Sequence, residues 1–597
     1  MLAGSASLPA DAQHAPTSTM NVRSVVAGLT LSLMLPLTSA RAGEVADTLF
    51  THGAVYTMDS QRPTAQAVAT RGKQIVCVGD DKDCDKWIGA NTRVIDLKGR
   101  MLMPGFVEAH LHPVLGSVMT AGADLQFDSV ESILAALKAW DQANPGARLI
   151  RGFGWRYNVF PATGPDKVML DRLFPDRPVV LVAIDGHSLW VNSKALEIAG
   201  VRAATPDPVP GFSFYQRDPK TKEPTGWVVE GPAELIVTGK LLDESPETVL
   251  TATADQLKKF AAAGITAAFD AGMAVVPEEA GYTGYLQLEQ QRRLPIRIVG
   301  SYYWNDASIK DPVAIVLDLR KKFQSELVQF KALKINVDGG DFQRTTAMIG
   351  SYADEPGYHG TFLIPPAQIK QAVIKAQANG LYTHAHALGD AAVRVYLDAV
   401  EAAQQAYPNS PSRHVAAHGV YMTDEEIRRL TRLGVTYQAS AQWNTPDPSI
   451  AVSLRVIGKD AVFKEYGRLN SVLKAGGRVA LGTDWPAANY YSSYRPLDAI
   501  QVALTRKILP QYGKLQAMPI LPPENETIRL EQALKANTLD AAYSMGMEDQ
   551  IGSLKVGKLA DLVVLEKDLH KLPLNEISTT KVQLTMMNGS ITYRAGI

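Results

Sequence analysis

Cysteine is almost absent. Cys77 and Cys84 are the only two in 597 residues, which excludes a cysteine-rich zinc or iron–sulfur scaffold. A dominant charge is absent as well: 60 basic against 61 acidic residues leave a formal charge of −1. Nucleic-acid binding, which calls for a basic face, finds no support there. Beyond residue 42 no run is apolar enough to span a bilayer, and no internal repeat or low-complexity tract stands out. What is there is ordinary: 46% apolar and 20% charged residues, the composition of a globular chain with ample core. Function must therefore be sought in individual sites.

Residues 1–42 read as a leader and signal peptide. Met20-Asn21-Val22-Arg23 is a short basic start, residues 25–37 are apolar, and Ala40-Arg41-Ala42 is a small-residue cleavage box. Residues 1–19 look like an unrelated polar leader, so Met20 is a candidate true start. The expectation is export to a periplasm, cleavage near Ala42 and no membrane attachment afterwards. The two cysteines straddle Gly79-Asp80-Asp81-Lys82-Asp83. In an oxidising compartment they staple that turn; equally, Cys77 is a buried strand residue and Cys84 an unrelated exposed one.

Short strands with turns are expected at 48–58, 65–69, 74–78 and 92–97, and again at 560–565 and 582–593. Both chain ends, 43–103 plus 553–597, thus read as one small β-sandwich domain. The body, 104–552, alternates apolar strands with helical stretches. Strands are nominated at 102–110, 265–270, 296–303, 332–337, 381–387, 414–418, 435–440 and 479–483. A representative helix, 247–263, sets Leu250, Ala254, Leu257 and Ala261 on one face. Eight βα units match a (β/α)8 TIM barrel, whose chemistry sits at the C-terminal strand ends. Residues 113–245, between the first two strands, exceed any ordinary loop and form an inserted subdomain. Its Pro- and Gly-rich part, 205–226, is expected to loop over the barrel mouth.

The polar residues at those strand ends are unusual. His110-Leu111-His112 places two imidazoles on one face of a strand end, a suitable pair of metal ligands. Lys334 lies on the fourth strand, His386 and His418 end the fifth and sixth, and Asp484 follows the eighth. Four histidines, a lysine and an aspartate are thereby offered to one mouth.

Several stretches carry a resemblance. They are Pro104–His112, Pro175–Leu181 running into Asp185-Gly186-His187-Ser188-Leu189-Trp190-Val191-Asn192-Ser193, Lys334–Gly339, His386–Asp390, Arg413–His418, Gly482–Pro486 and Gly557–Val563. In this order they resemble the amidohydrolase superfamily, within it the amidohydrolase family 3 (YtcJ-like) branch of metal-dependent hydrolases. The resemblance runs from about Asp47 to the C-terminus. It implies that His110, His112 and Asp484 hold one divalent ion, that His386 and His418 hold a second, and that Lys334 is N6-carboxylated and bridges both. Zinc is the first choice of metal, as one ion or two. Asp484 would pass a proton from the metal-activated water to the leaving nitrogen. Burial would keep the Lys334 amine neutral enough to capture carbon dioxide.

Each residue has a plainer reading. Lys334 pairs with Asp338 as a structural lysine in a one-metal site; Asp484 caps a turn. His384 and His414 share parity with the ligands and serve packing or support. His187, Trp155, Gln442 and Trp485 are candidate substrate contacts, with Trp190 and Trp443 as further aromatic candidates. Two positions depart from the branch: Ala417-His418 stands where Glu-His is common, and Gln442-Trp443 where Gln-Pro is usual. The leading expectation is an exported metal-dependent hydrolase of a C–N bond (amide, N-acyl or N-formyl) in a small-molecule substrate. An esterase, lactonase or deaminase on the same site is the alternative, as is a non-catalytic periplasmic binding or regulatory protein. Homo-oligomer formation is left open.

Overall fold

The computed structural model describes residues 45–242, 244–274, 276–515 and 518–597; the leader and signal-peptide reading of 1–42 lies outside them. Eight parallel strands form the central sheet: β1 (Phe106–Leu111), β2 (Ile265–Asp270), β3 (Arg297–Trp304), β4 (Val328–Asn336), β5 (Tyr382–Ala387), β6 (His414–His418), β7 (Thr436–Ala439) and β8 (Arg478–Leu481). They lie side by side in chain order, as successive right-handed βα units require. Four of the eight, β1, β2, β6 and β7, are buried along their whole length, so both faces are covered and they do not alternate between buried and exposed residues.

The sheet closes on itself. Asp484 N donates to His110 O at 2.8 Å, and the Asn537 amide donates to both Val107 O (3.2 Å) and Leu481 O (3.3 Å) across the β8–β1 seam. Gly482 is needed there: a Cβ on it would lie 2.5 Å from His110 N. This is the (β/α)8 barrel. Helices pack outside it, as Pro246–Ala262 does through Ala254, Leu257, Phe260 and Ala261, with Ser245 capping its start by accepting from Thr248 N.

The chain ends share a core. Thr48–Thr51, Ala67–Arg71, Gln74–Gly79 and Arg93–Asp96 make a four-stranded sheet. Six more strands make a second sheet, in which Leu562–Leu565 pairs antiparallel with Met101–Pro104. Phe50, Val68, Ile75, Leu102, Val564 and Leu584 are among the side chains buried together between them. Cys77 and Cys84 form a disulfide, which decides between the two readings of that pair.

Four nominated strands are divided. The first ends in the small domain at Pro104 and resumes as β1 at Phe106; a Cβ on Gly105 would meet Thr266 at 2.2 Å. Residues 48–58 become Thr48–Thr51 and Ala54–Tyr56, in different sheets, and 65–69 splits after Ala65. Residues 582–593 are a hairpin, Val582–Met587 and Ser590–Arg594, turned by Asn588-Gly589, both at positive φ, as a two-residue I′ turn needs.

Between β1 and β2 the chain builds its own six-stranded sheet, with Val179–Ala183 and Ser188–Val191 at its middle. Residues 205–226 send Phe212 into the barrel's core cluster. They include the strand Phe214–Arg217 and the start of Pro224–Val229, and none of them lines the main cavity. That role falls to the turn after Val179–Ala183 and to the helix Gly231–Leu241.

Candidate metal centre

β1 sets His110 at its buried end, and the chain turns at His112 into the helix Pro113–Met119. His112 Nδ1 lies 3.0 Å from Gly272 O, a partner that fixes the ring and leaves Nε2 for the site. Nε2 lies 3.3 Å from Asp484 Oδ1, and His110 Nε2 lies 3.2 Å from the same oxygen. The other carboxylate oxygen, Oδ2, lies 4.0 Å from His418 Nδ1. His110, His418 and Asp484 bring one ligand atom each within 4.8 Å of one another. Asp484 thus stands between two histidine groups rather than with His110 and His112 alone. It does so at φ 58, and His418 at φ 73. Non-glycine residues held there carry local strain of a kind that gathers at functional sites.

Lys334 comes up from β4 to put Nζ 3.0 Å from His110 Nε2. Burial pushes its amine down to about 7, against the opposing pull of Asp484. The Lys334–Asp338 pairing does not form. Asp338 instead accepts from the backbone N–H groups of Ala347, Leu388 and Gly389.

His386 and His418 supply the observation that bears on a metal. Both are buried, and His386 Nε2 and His418 Nδ1 have no hydrogen-bond partner among the described residues. A buried, unmatched polar atom is costly, and an ion between imidazoles would satisfy both nitrogens. Burial holds His110, His386 and His418 well below the usual imidazole range, which is the neutral, ligating form. For Asp484, burial pushes the carboxyl up, but His418, His112 and Lys334 outweigh it and hold it below its ordinary value. The residues fit a divalent ion.

The supporting shell is built as parity suggests. His384 puts Nε2 2.9 Å from His110 Nδ1 and stacks on Phe269, ring centroids 4.4 Å apart. His414 bonds Thr383 and Gln377 and is packing. Trp443 stacks on His418 at 5.0 Å, in the position left by the departure from Gln-Pro.

Above this floor a cavity opens under the inserted domain. His187 lines it, its Nδ1 2.7 Å from Glu230 Oε2 and its ring centroid 5.5 Å from that of His386. Burial pulls the imidazole down, but Glu230 and Asp185 together raise it to about 10. The other three nominated contacts are elsewhere. Trp155 is buried in the inserted domain and donates to Leu181 O. Gln442 is buried and donates to Thr483 O. Trp485 packs edge-on to Phe260, so the apolar character that suggested substrate contact serves the core instead.

Sequence reading missed Glu108, Glu230, Glu234 and Tyr303. Glu108 had a signal: two residues before His110, it shares that face. It is buried, pushed up to about 8 by burial, and accepts from Thr483 N and Oγ1 at the base of the Asp484 turn. The other three are brought in by the insertion and by β3, and no local pattern marks them.

Comparison with known proteins agrees with this geometry. A family model described as amidohydrolase family matches residues 93–593. The chain is 27% identical to the putative amidohydrolase YtcJ of Bacillus subtilis (strain 168), covering 91% of this chain and 98% of the relative. It is 23% identical to the N-substituted formamide deformylase of Arthrobacter pascens, over 92% and 99%. A solved structure of an uncharacterised metal-dependent hydrolase from Pyrococcus horikoshii OT3 superposes with a TM-score of 0.67 at 20% identity, covering 88% of this chain and 99% of that one; this likeness carries the fold.

Proposed function

Because this chain belongs to the amidohydrolase family, whose members are metal-dependent, we propose that it hydrolyses the C–N bond of a small N-formyl or N-acyl amide. One observation carries the reading. The Asp484 carboxylate turns Oδ1 toward His110 and His112 and Oδ2 toward His418, and two buried imidazole nitrogens, of His386 and His418, have no hydrogen-bond partner among the described residues.

His110, His112, His386, His418, Lys334 and Asp484 are the side chains that would hold one or two divalent ions, and their N/O chemistry suits zinc. A divalent ion there supplies Lewis acidity, bringing the pKa of water toward neutrality and polarising a carbonyl. Asp484 handles the proton. Held as a carboxylate by its neighbours, it takes a proton from the attacking water and delivers it to the leaving nitrogen. An amide needs that delivery more than an ester does, because nitrogen expelled without a proton leaves as an amine anion, a far poorer leaving group than an alkoxide. Lys334, with its amine brought to about 7, is partly neutral at physiological pH. It can then add carbon dioxide, losing a proton to give a carbamate. The inserted domain, with His187 over His386, shields the site from bulk water.

The deformylase relative, matched over nearly its whole length, favours a formyl or other small acyl group. The Cys77–Cys84 disulfide suits an oxidising compartment and supports the reading of residues 20–42 as an export signal. The test is a turnover screen of the zinc-loaded protein against N-formyl amides, N-acyl amides and matched esters. Amide cleavage is expected; activity confined to esters would overturn the bond assignment.

A further inference from the structure

The helix Gly231–Leu241 turns one face to the cavity. Gly231, Glu234, Leu235 and Thr238 line it, with Leu242 just beyond the helix end, at the three-to-four-residue spacing of a single helical face. Glu234 is the one ionisable group on that face, and its Oε1 is buried without a hydrogen-bond partner.

The neighbouring carboxylates are already used. Glu230 takes His187 Nδ1, Gly340 N and Thr345 Oγ1. Asp185 takes Tyr157 Oη, Gln343 Nε2 and the N–H of His187. Arg151, a lining cation, is engaged by Glu244 and Val118 O. Val118, Met119, Leu235 and Leu242 add apolar wall to the cavity, and Asn305 and Asn336 are uncharged polar residues of the lining.

A buried carboxyl oxygen with no partner is costly. Burial first, and then the charge on Glu230, push the Glu234 carboxyl well above its usual range. An incoming cation would relieve both effects, and in an apolar wall its attraction to a carboxylate is little screened. Glu234 also faces the chamber in which the reaction would occur: Tyr303 lines the same cavity, and its hydroxyl is pushed up by burial first and then by Glu230, Asp484 and Glu234.

We infer that Glu234 is a specificity residue that receives a positively charged amino group on the substrate, carried away from the scissile amide on a short apolar spacer. The inference rests on the amide-hydrolase reading and names its substrate class: N-acyl or N-formyl derivatives of diamines and similar amino-bearing amides. A substrate offering only a neutral N–H is the competing occupant, which the charge test separates.

Two substrates of equal length decide it: the monoformyl derivative of butane-1,4-diamine and that of pentylamine, in which methyl replaces the ammonium. The zinc-loaded wild type is expected to favour the amino compound by at least about tenfold in kcat/KM. Glu234→Gln should abolish that preference through KM, and Glu234→Asp should restore part of it. A wild-type preference that is absent, or unchanged in Glu234→Gln, overturns the inference. If neither compound is cleaved, the amide reading fails instead. Glu234 is then tested by calorimetry with pentylamine, a cation at neutral pH, and uncharged pentan-1-ol on the metal-loaded protein. At least tenfold tighter amine binding, lost in Glu234→Gln, supports its role; equal binding of the two, or an amine preference unchanged in Glu234→Gln, overturns it.

Discussion

Lys334 Nζ lies 3.0 Å from His110 Nε2, and that same imidazole nitrogen lies 3.2 Å from Asp484 Oδ1. β1, β4 and the turn after β8 thus aim their donor atoms at one point, though 224 residues separate the first two in sequence. Barrel closure makes this possible: Gly482 lets β8 lie against β1, and the Asp484 N–H on His110 O then fixes how far the carboxylate reaches.

The proton-carrying role of Asp484 predicts that Asp484→Asn lowers kcat/KM on an amide by about 10²–10⁴-fold. The measurement pairs steady-state kinetics with metal content, because the variant also loses a candidate ligand charge. A variant that retains its metal and full turnover removes the assignment.

His384 is predicted to act through His110. Replacing it with Phe keeps the stack on Phe269 and most of the volume but removes the partner of His110 Nδ1. Zinc affinity should fall about 10- to 100-fold, while thermal unfolding of the metal-free protein stays near wild type. Competition with a chelator reads the first and a melting curve the second. Unchanged affinity would make His384 packing alone.

The small domain is pinned to the barrel through Arg297, on β3. Its buried guanidinium donates to both oxygens of the buried Asp561 (2.9 and 3.2 Å) and to Oδ1 of the half-buried Asn588 (2.8 Å). Arg297→Ala strands the Asp561 charge and should cost about 3–5 kcal/mol, read as a lowered midpoint in urea. The Arg297→Met/Asp561→Leu double variant, which leaves no charge behind, should recover much of that loss.

Glu278 predicts a pH dependence of stability. Burial pushes its carboxyl up from 4.5 to about 7, although it accepts from Tyr303 N. With a folded pKa above the unfolded one, the native state holds an extra proton between those values. Its contribution is complete below about pH 4.5 and is lost as pH rises through 7, a change of at most about 3 kcal/mol. Glu278→Gln, which can still accept from Tyr303 N, should flatten this part of the stability profile. An unaltered profile would contradict it.

The strands and the candidate ligands that the barrel brings together were readable for one reason. β2 and β6 are short apolar runs between helices, and they begin and end where the pattern puts them. His110, His386 and His418 announce themselves because a histidine is rarely spent at the end of such a run. What failed has a physical cause too. Trp155, Gln442 and Trp485 looked like pocket residues by type, yet which face an aromatic presents depends on packing partners far away in sequence. Asn588-Gly589 marks a hairpin by its turn chemistry, a signal that the apolar run 582–593 obscured. Glu230 and Glu234 reach the site only because the inserted sheet folds back over the barrel, and nothing within ten residues of either encodes that. The order of ligands around Asp484 was equally hidden, since two oxygens of one carboxylate cannot be told apart in sequence.

The most direct test of the central claim is the divalent-metal content of the purified protein, measured by elemental analysis after dialysis against zinc and then against buffer. About one to two tightly held ions per chain are predicted, with the His386→Ala/His418→Ala variant losing at least one of them while keeping its fold. A wild-type chain that is folded and retains no ion under these conditions would contradict the reading of His110, His112, Lys334, His386, His418 and Asp484 as a metal centre.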